Sequence, residues 1–232
     1  MNTHYTYFLI LAASLAGPLA LSFDKKVAFY KKWKYLFPAM IFPAVLYIIW
    51  DSYFTKQGVW SFNENYITGI KYFDLPLEEI LFFFIVPYCC VFIYECIRCY
   101  FPGIKNEKRG DTFLKLLAII LLVTGIVFYQ KNYTVFTFIG LSVFLLLFFT
   151  FRKHFRQFNS AIFLISYVVI LIPFLLVNGF LTAIPVVLYN NAENLGIRIY
   201  TIPFEDIFYG MFLIFLNIVL FEKLRSRYFP VK

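Results

Sequence analysis

Charge is what this sequence has least of. Only 15% of its 232 residues are Asp, Glu, Lys or Arg, against about 25% in ordinary globular domains. By contrast, 62% are hydrophobic and 23% aromatic. A domain of this length hides only about three quarters of the surface its unfolded chain exposes. That cannot shelter so much apolar surface from water, so the solvent must be largely lipid. A soluble enzyme, a secreted disulfide scaffold and a disordered chain are all excluded. Histidine is nearly missing: His4 and His154 stand alone. Cys96-x-x-Cys99, with Cys89 and Cys90 nearby, therefore lacks the partners a zinc site needs and reads as small apolar packing. No G-x-G occurs anywhere, so the dinucleotide fingerprint is absent and no flavin or other cofactor is expected. An aspartate-rich D-x-x-x-D repeat is also lacking, which leaves a Mg-pyrophosphate site without support, and no metal is expected.

The apolar residues fall into about seven runs, near 4–22, 36–50, 76–97, 113–130, 134–150, 160–177 and 203–222. A span needs roughly 20 mostly apolar residues to cross about 30 Å of hydrocarbon. The run at 36–50 is short and holds Pro38 and Pro43. Leu181 to Leu188, with Pro185, is too short to span and reads as a re-entrant or interfacial piece. In the first run Lys25 and Lys26 follow the apolar stretch and do not precede it, so it is expected to be a retained helix and not a signal peptide.

Seven spans place the termini on opposite sides, and the cations test this. Lys25, Lys26, Lys31, Lys32, Lys34, Arg98, Lys105, Lys108, Arg109, Lys115, Arg152, Lys153, Arg156, Lys223, Arg225, Arg227 and Lys232 share one side, 17 of 21, and eight of the 13 acids lie on the other. The formal charge of +8 is thus a difference between a basic and an acidic face, and nucleic acid is not expected as a partner. The N-terminus is expected outside a cell membrane and the C-terminus in the cytoplasm.

A shift of 127 residues aligns Gly69 with Gly196, Pro76 with Pro203, Glu78 with Glu205, Glu79 with Asp206, Glu95 with Glu222, Arg98 with Arg225 and Asp51 with Asn178. Two three-span repeats, 1–101 and 133–232, joined by a linker with the fourth span at 102–132, follow. The extra span makes the repeats parallel, related by an axis along the membrane normal. The fold class is all-α integral membrane.

Pro76-Leu77-Glu78-Glu79 and Pro203-Phe204-Glu205-Asp206 look like helix starts, with Pro at the first helical position. Acids there can simply complement the helix dipole. Two copies in register at the mouths of apolar spans point further, because ionisable groups near hydrocarbon are costly. Neighbouring acids can divide into a protonated donor and an ionised acceptor, or four carboxylates can hold a divalent metal. Aromatic π faces beside them would attract a cation in a dry site.

These residues resemble the membrane-integral lycopene cyclases: two homologous chains in some bacteria, one fused chain in others, and the cyclase part of the fungal bifunctional phytoene synthase/lycopene cyclase. The likeness rests on Trp50-Asp51, Gly58-Val59-Trp60-Ser61-Phe62-Asn63, Gly69, and Pro76 to Glu79 followed by Phe82-Phe83. In the second half it rests on Asn178-Gly179-Phe180-Leu181-Thr182, Pro185-Val186, Tyr189, Gly196-Ile197-Arg198, and Ile202 to Asp206 followed by Tyr209-Gly210. It implies a lycopene β-cyclase that isomerises the linear ends of lycopene to β-ionone rings through a carbocation, giving γ- then β-carotene with no net redox. Glu78, Glu79, Glu205 and Asp206 would supply acid and base between them, with Asp51, Asn178 and Arg198 positioning or tuning them. Trp60, Tyr189, Phe82 and Phe83 would stabilise the cation, and Asn63, Thr182 and Tyr209 would support the site. The implied partners are lycopene from the lipid phase, membrane lipid and other carotenoid-pathway enzymes. A proton-coupled transporter and a non-catalytic carotenoid-binding membrane protein are the rival readings. A retinal protein is disfavoured, because its last span would need a mid-membrane Lys.

Overall fold

The computed structural model describes residues 3–105 and 108–228. Of the residues discussed above, the side chain of Arg227 and all of Lys232 lie outside that description. The protein is an all-α membrane protein, with seven α-helices among the described residues: α1 (Thr6–Leu21), α2 (Trp33–Lys56), α3 (Leu77–Tyr100), α4 (Lys108–Val127), α5 (Asn132–Thr150), α6 (Ser160–Ala183) and α7 (Glu205–Tyr228). Six of them are long and apolar enough to cross a membrane. The exception, α1, has 16 residues, about 24 Å at 1.5 Å per residue, short of the roughly 30 Å of hydrocarbon. Side chains such as Phe42, Ile120, Val168 and Ile172 are more than half exposed on the helix exteriors, where lipid replaces water as solvent.

Two expected features change. The short run at 36–50 is the middle of α2, which continues from Trp33 to Lys56 through Pro38 and Pro43; neighbouring helices satisfy backbone groups that a proline frees in a membrane helix. Leu181–Leu188, expected as a re-entrant or interfacial piece, is part helix and part strand. Its first residues end α6, and its last two begin a strand, β4 (Val187–Tyr189), that pairs antiparallel with β1 (Trp60–Phe62). The pairing gives this apolar stretch backbone partners that neither lipid nor the helix end could supply.

Contacts exchange under the same 127-residue shift that aligns the sequence. In the β1–β4 ribbon Trp60 faces Tyr189, Ser61 faces Leu188 and Phe62 faces Val187. The shift turns the first pair into the last and the middle pair into itself. Short hairpins precede α3 and α7: β2 (Lys71–Tyr72) with β3 (Leu75–Pro76), and β5 (Arg198–Ile199) with β6 (Ile202–Pro203). Gly69 and Gly196 enter these hairpins with φ of +83° and +74°, a conformation that glycine adopts without strain. The prolines expected at the first helical position instead end these hairpins; Pro76 caps α3 with ψ 147°, held extended by its pairing with Lys71.

The halves are interlocked. α2 packs on α7, α6 on α3, and α4 lies outside against α5 and α6. At the basic end of the bundle Glu95 and Glu222 are buried among three cations. Lys32 meets Glu95 at 2.5 Å, Arg98 meets Glu222 at 2.9 Å, and Arg225 reaches Glu95 at 3.1 Å and Glu222 at 2.6 Å. An i,i+3 pair is present within each helix (Arg98 to Glu95, 3.3 Å; Arg225 to Glu222, 2.6 Å), and these are joined by the crossed pairs that tie α3 to α7.

Candidate active site

At the opposite, acidic end, the first turns of α3 and α7 bring their adjacent acids into the bundle. All four are buried, and each pair splits into two environments. The first acid of each pair turns to backbone: Glu78 Oε1 accepts from the Thr68 amide at 2.7 Å, and Glu205 Oε1 accepts from the Leu195 amide at 2.8 Å and from the Thr134 hydroxyl at 2.6 Å. These bonds fasten the loops that enter the hairpins. The second acid of each pair, Glu79 and Asp206, faces a narrow cavity of about 40 Å³ that Asp51 on α2 also lines. The expected convergence of four motif carboxylates is therefore corrected. Three carboxylates meet, one of them outside the motifs, while Glu78 and Glu205 point away.

Donors differ sharply among the three. Asp206 accepts from Tyr133 at 2.5 Å, Tyr189 at 3.0 Å and Asn178 at 3.3 Å. Glu79 accepts from Tyr7 at 2.6 Å. Asp51 accepts from Tyr209 at 3.1 Å through one oxygen, and its other oxygen is buried with no hydrogen-bond partner. The second oxygens of Glu78 and Glu205 are likewise buried without a hydrogen-bond partner; of these three acids, Asp51 is the one that lines the cavity. Burial, with the Asp206 carboxylate beside it, pushes the Tyr189 hydroxyl pKa well above its ordinary value, so it remains a donor.

Aromatic rings make the walls. Alternate residues of the β1–β4 ribbon (Trp60, Phe62, Val187 and Tyr189) line the cavity as a roof, as strand alternation requires. Trp60 stands edge-on to Tyr133 with centroids 5.2 Å apart and is 6.0 Å from both Tyr189 and Tyr209. Phe82 and Thr182 complete the expected lining. Three expected residues lie elsewhere. Phe83 is fully buried in the core against Tyr47. Asn63 caps a 3-10 turn through Asn65. Arg198 holds its own hairpin, donating to the Thr201 carbonyl at 2.6 Å, and reaches the site only through the Tyr189 ring at 5.8 Å. Tyr7, Tyr133, Phe62 and Phe174 also line the cavity, although the sequence reading did not single them out. The one signal for the first two was a tyrosine in the opening turn of an apolar span, at the same end as the acids. Among the described residues no group of three or more His, Cys, Asp or Glu is placed to hold a metal.

The protein-family model described as lycopene cyclase matches residues 4–97 and 130–224. The chain belongs to the lycopene cyclase family. The match leaves out all of α4 and takes in every residue that lines the carboxylate cavity. Among curated relatives, bifunctional lycopene cyclase/phytoene synthase proteins share short stretches with it. That of Aspergillus niger is 30% identical over 81 residues, covering 33% of this chain and 14% of the relative. That of Pyrenophora tritici-repentis is 38% identical over 65 residues (27% and 11%), and that of Leptosphaeria maculans 30% over 115 (47% and 18%). The aligned part is thus less than a fifth of each of these relatives. No solved structure matches the chain significantly.

Proposed function

We propose that this member of the lycopene cyclase family is a lycopene β-cyclase that closes the linear ends of lycopene into β-ionone rings by acid–base isomerisation, giving γ- and then β-carotene. The observation that carries this reading is one cavity in which Asp51, Glu79 and Asp206 face a wall of aromatic rings. Glu79, held by one tyrosine, gives a proton to the terminal double bond and leaves a tertiary cation. The inner double bond attacks that cation and closes the ring. Asp206, on which three donors converge as a carboxylate anion needs, takes the ring proton and restores a double bond. The faces of Trp60, Tyr133 and Tyr209, together with the free oxygen of Asp51, stabilise the cation. One proton enters and one leaves, so no electrons are exchanged and the proton has only to pass back from base to acid within the cavity.

In this reading the chain is two parallel repeats, 1–101 and 133–232, with 102–132 as linker. It is a multi-pass protein of the cell membrane with its N-terminus and the carboxylate end outside and its C-terminus in the cytoplasm. The exchange of contacts under the 127-residue shift and the division of charge support this arrangement.

The test is expression in a host that accumulates lycopene. The expected pigment is cyclic and of unchanged mass; unaltered lycopene beside abundant membrane-inserted protein would overturn the assignment. Glu205→Gln separates the two kinds of acid. Gln can accept the same bonds from Leu195 and Thr134, so cyclisation should remain within about tenfold of wild type, because only a buried positioning contact changes. Loss as deep as that from removing Asp206 would make Glu205 a proton carrier.

A further inference from the structure

Beside the carboxylate cavity, a groove of about 630 Å³ runs between α1, α3 and α6, and the two share Phe82, Phe174 and Asn178 in their linings. Away from that junction the groove is apolar, floored by Val86, Cys90 and Ile170 and flanked by Ala13, Ser14 and Val177. On α3 it extends from Phe82 to Ile93, about 16 Å of helix at 1.5 Å per residue, or roughly half of the 30 Å hydrocarbon layer.

The counterpart seam, between α5 and α2, is built differently. Under the 127-residue shift Val177 corresponds to Trp50, and Ile85 corresponds to Phe212. There Trp50 and Phe212 pack with centroids 6.1 Å apart, and Phe144 closes on Phe212 at 5.4 Å. The hollow remaining on that side shares no residue with the carboxylate cavity. Trp50 and Phe212 fill one seam; in the other, Val177 stands where Trp50 does and the groove stays open. The junction is also sensitive to Gly210 on α7, where a Cβ would stand 2.6 Å from the tip of the Phe174 ring.

We propose that the groove between α1, α3 and α6 is the lateral portal and seat of the substrate, holding the extended half of a linear C40 polyene while its end lies among Asp51, Glu79 and Asp206. The proposal rests on the cyclase reading. Its occupant follows from continuity: a ligand lying in an apolar channel of this length, open to lipid, with its tip at buried carboxylates, is a long hydrocarbon whose chemistry is at its end. The other half of the molecule stays in the bilayer. With the second seam plugged, each binding event presents one end, and the chain must leave and turn round before the second ring forms.

Val177→Trp copies the plug of the closed seam into the open one, and Gly210→Ala pushes Phe174 into the junction. Val168→Trp, on the lipid face of α6 and 66% exposed, is the control. In lycopene-accumulating cells, Val177→Trp should reduce conversion by roughly 10²-fold, the scale expected when a substrate is displaced by about an ångström. Gly210→Ala should act in the same direction and Val168→Trp should have no effect. The second readout is lycopene retained by purified protein carrying Asp206→Asn: it should be present, and lost when Val177→Trp is added. Conversion and retention unchanged by Val177→Trp would overturn the portal and leave the groove to a lipid acyl chain. If wild type forms no ring but lycopene is still retained and lost with Val177→Trp, the portal stands and the cyclase reading falls. If wild-type protein neither converts nor retains lycopene, both fall.

Discussion

Asp206→Asn should lower lycopene cyclisation by about 10²–10⁴-fold, the usual worth of a positioned acid or base, with the protein still inserted in the membrane. The size of the side chain hardly changes, so packing against α5 and α6 is preserved. Its chemistry changes twice over. The amide cannot take the ring proton, and its NH2 now faces hydroxyl or amide donors that the carboxylate had accepted from Tyr133, Tyr189 and Asn178. Tyr133→Phe is the companion variant. It removes one of the three donors but leaves the base, and should cost far less, on the order of a single hydrogen bond to a charged group, about 1.5–3 kcal/mol. The measurement is chromatographic separation of lycopene, monocyclic and dicyclic pigment at matched protein level. Asp206→Asn activity within tenfold of wild type would move the base to Glu79 or Asp51.

The contrast between Glu205 and Asp206 also shows what a sequence can and cannot disclose. That acids would gather at one end of the bundle was legible, because Pro76 to Glu79 and Pro203 to Asp206 recur at a fixed shift at the mouths of apolar runs. Which acid of each pair faces the cavity was not. Adjacent helical residues differ by about 100° around the axis, and the rotation of α3 and α7 is set by packing on α1, α2, α5 and α6. Tyr7 and Tyr133 escaped notice because 18 tyrosines are spread over the chain, and a place in the opening turn of an apolar span is a weak mark among so many. That Leu181–Leu188 ends in a paired strand was hidden for a related reason, since its partner strand, Trp60–Phe62, is more than a hundred residues away. The promotion of Asp51 from a supporting residue to a full member of the cavity depends on α2 crossing to the other half and packing on α7, a tertiary fact with no sequence period.

The same crossing has a cost that can be measured at the basic end. Glu222→Gln should destabilise the protein more than Arg225→Ala, by roughly 3–5 kcal/mol, the range for removing one partner from a buried ion pair. In the intact cluster, two buried carboxylates serve Lys32, Arg98 and Arg225. Glu222→Gln leaves three cations gathered on the one remaining carboxylate, Glu95, while the Gln oxygen can still accept from the Tyr94 hydroxyl. Removing Arg225 leaves each carboxylate a cation: Glu95 keeps Lys32 and Arg98, and Glu222 keeps Arg98 and the Tyr94 hydroxyl. The ranking therefore follows from the excess of cations in the cluster and not from the length of any one contact. Unfolding in mixed detergent, followed by loss of helical signal, would measure it. Equal destabilisation by the two variants would mean that the crossed pairs act independently and that the cluster does not work as one clamp between α3 and α7. With the predicted order, combining Glu222→Gln with Arg225→Ala should recover part of the loss, because the second change removes a charge that the first left without its partner.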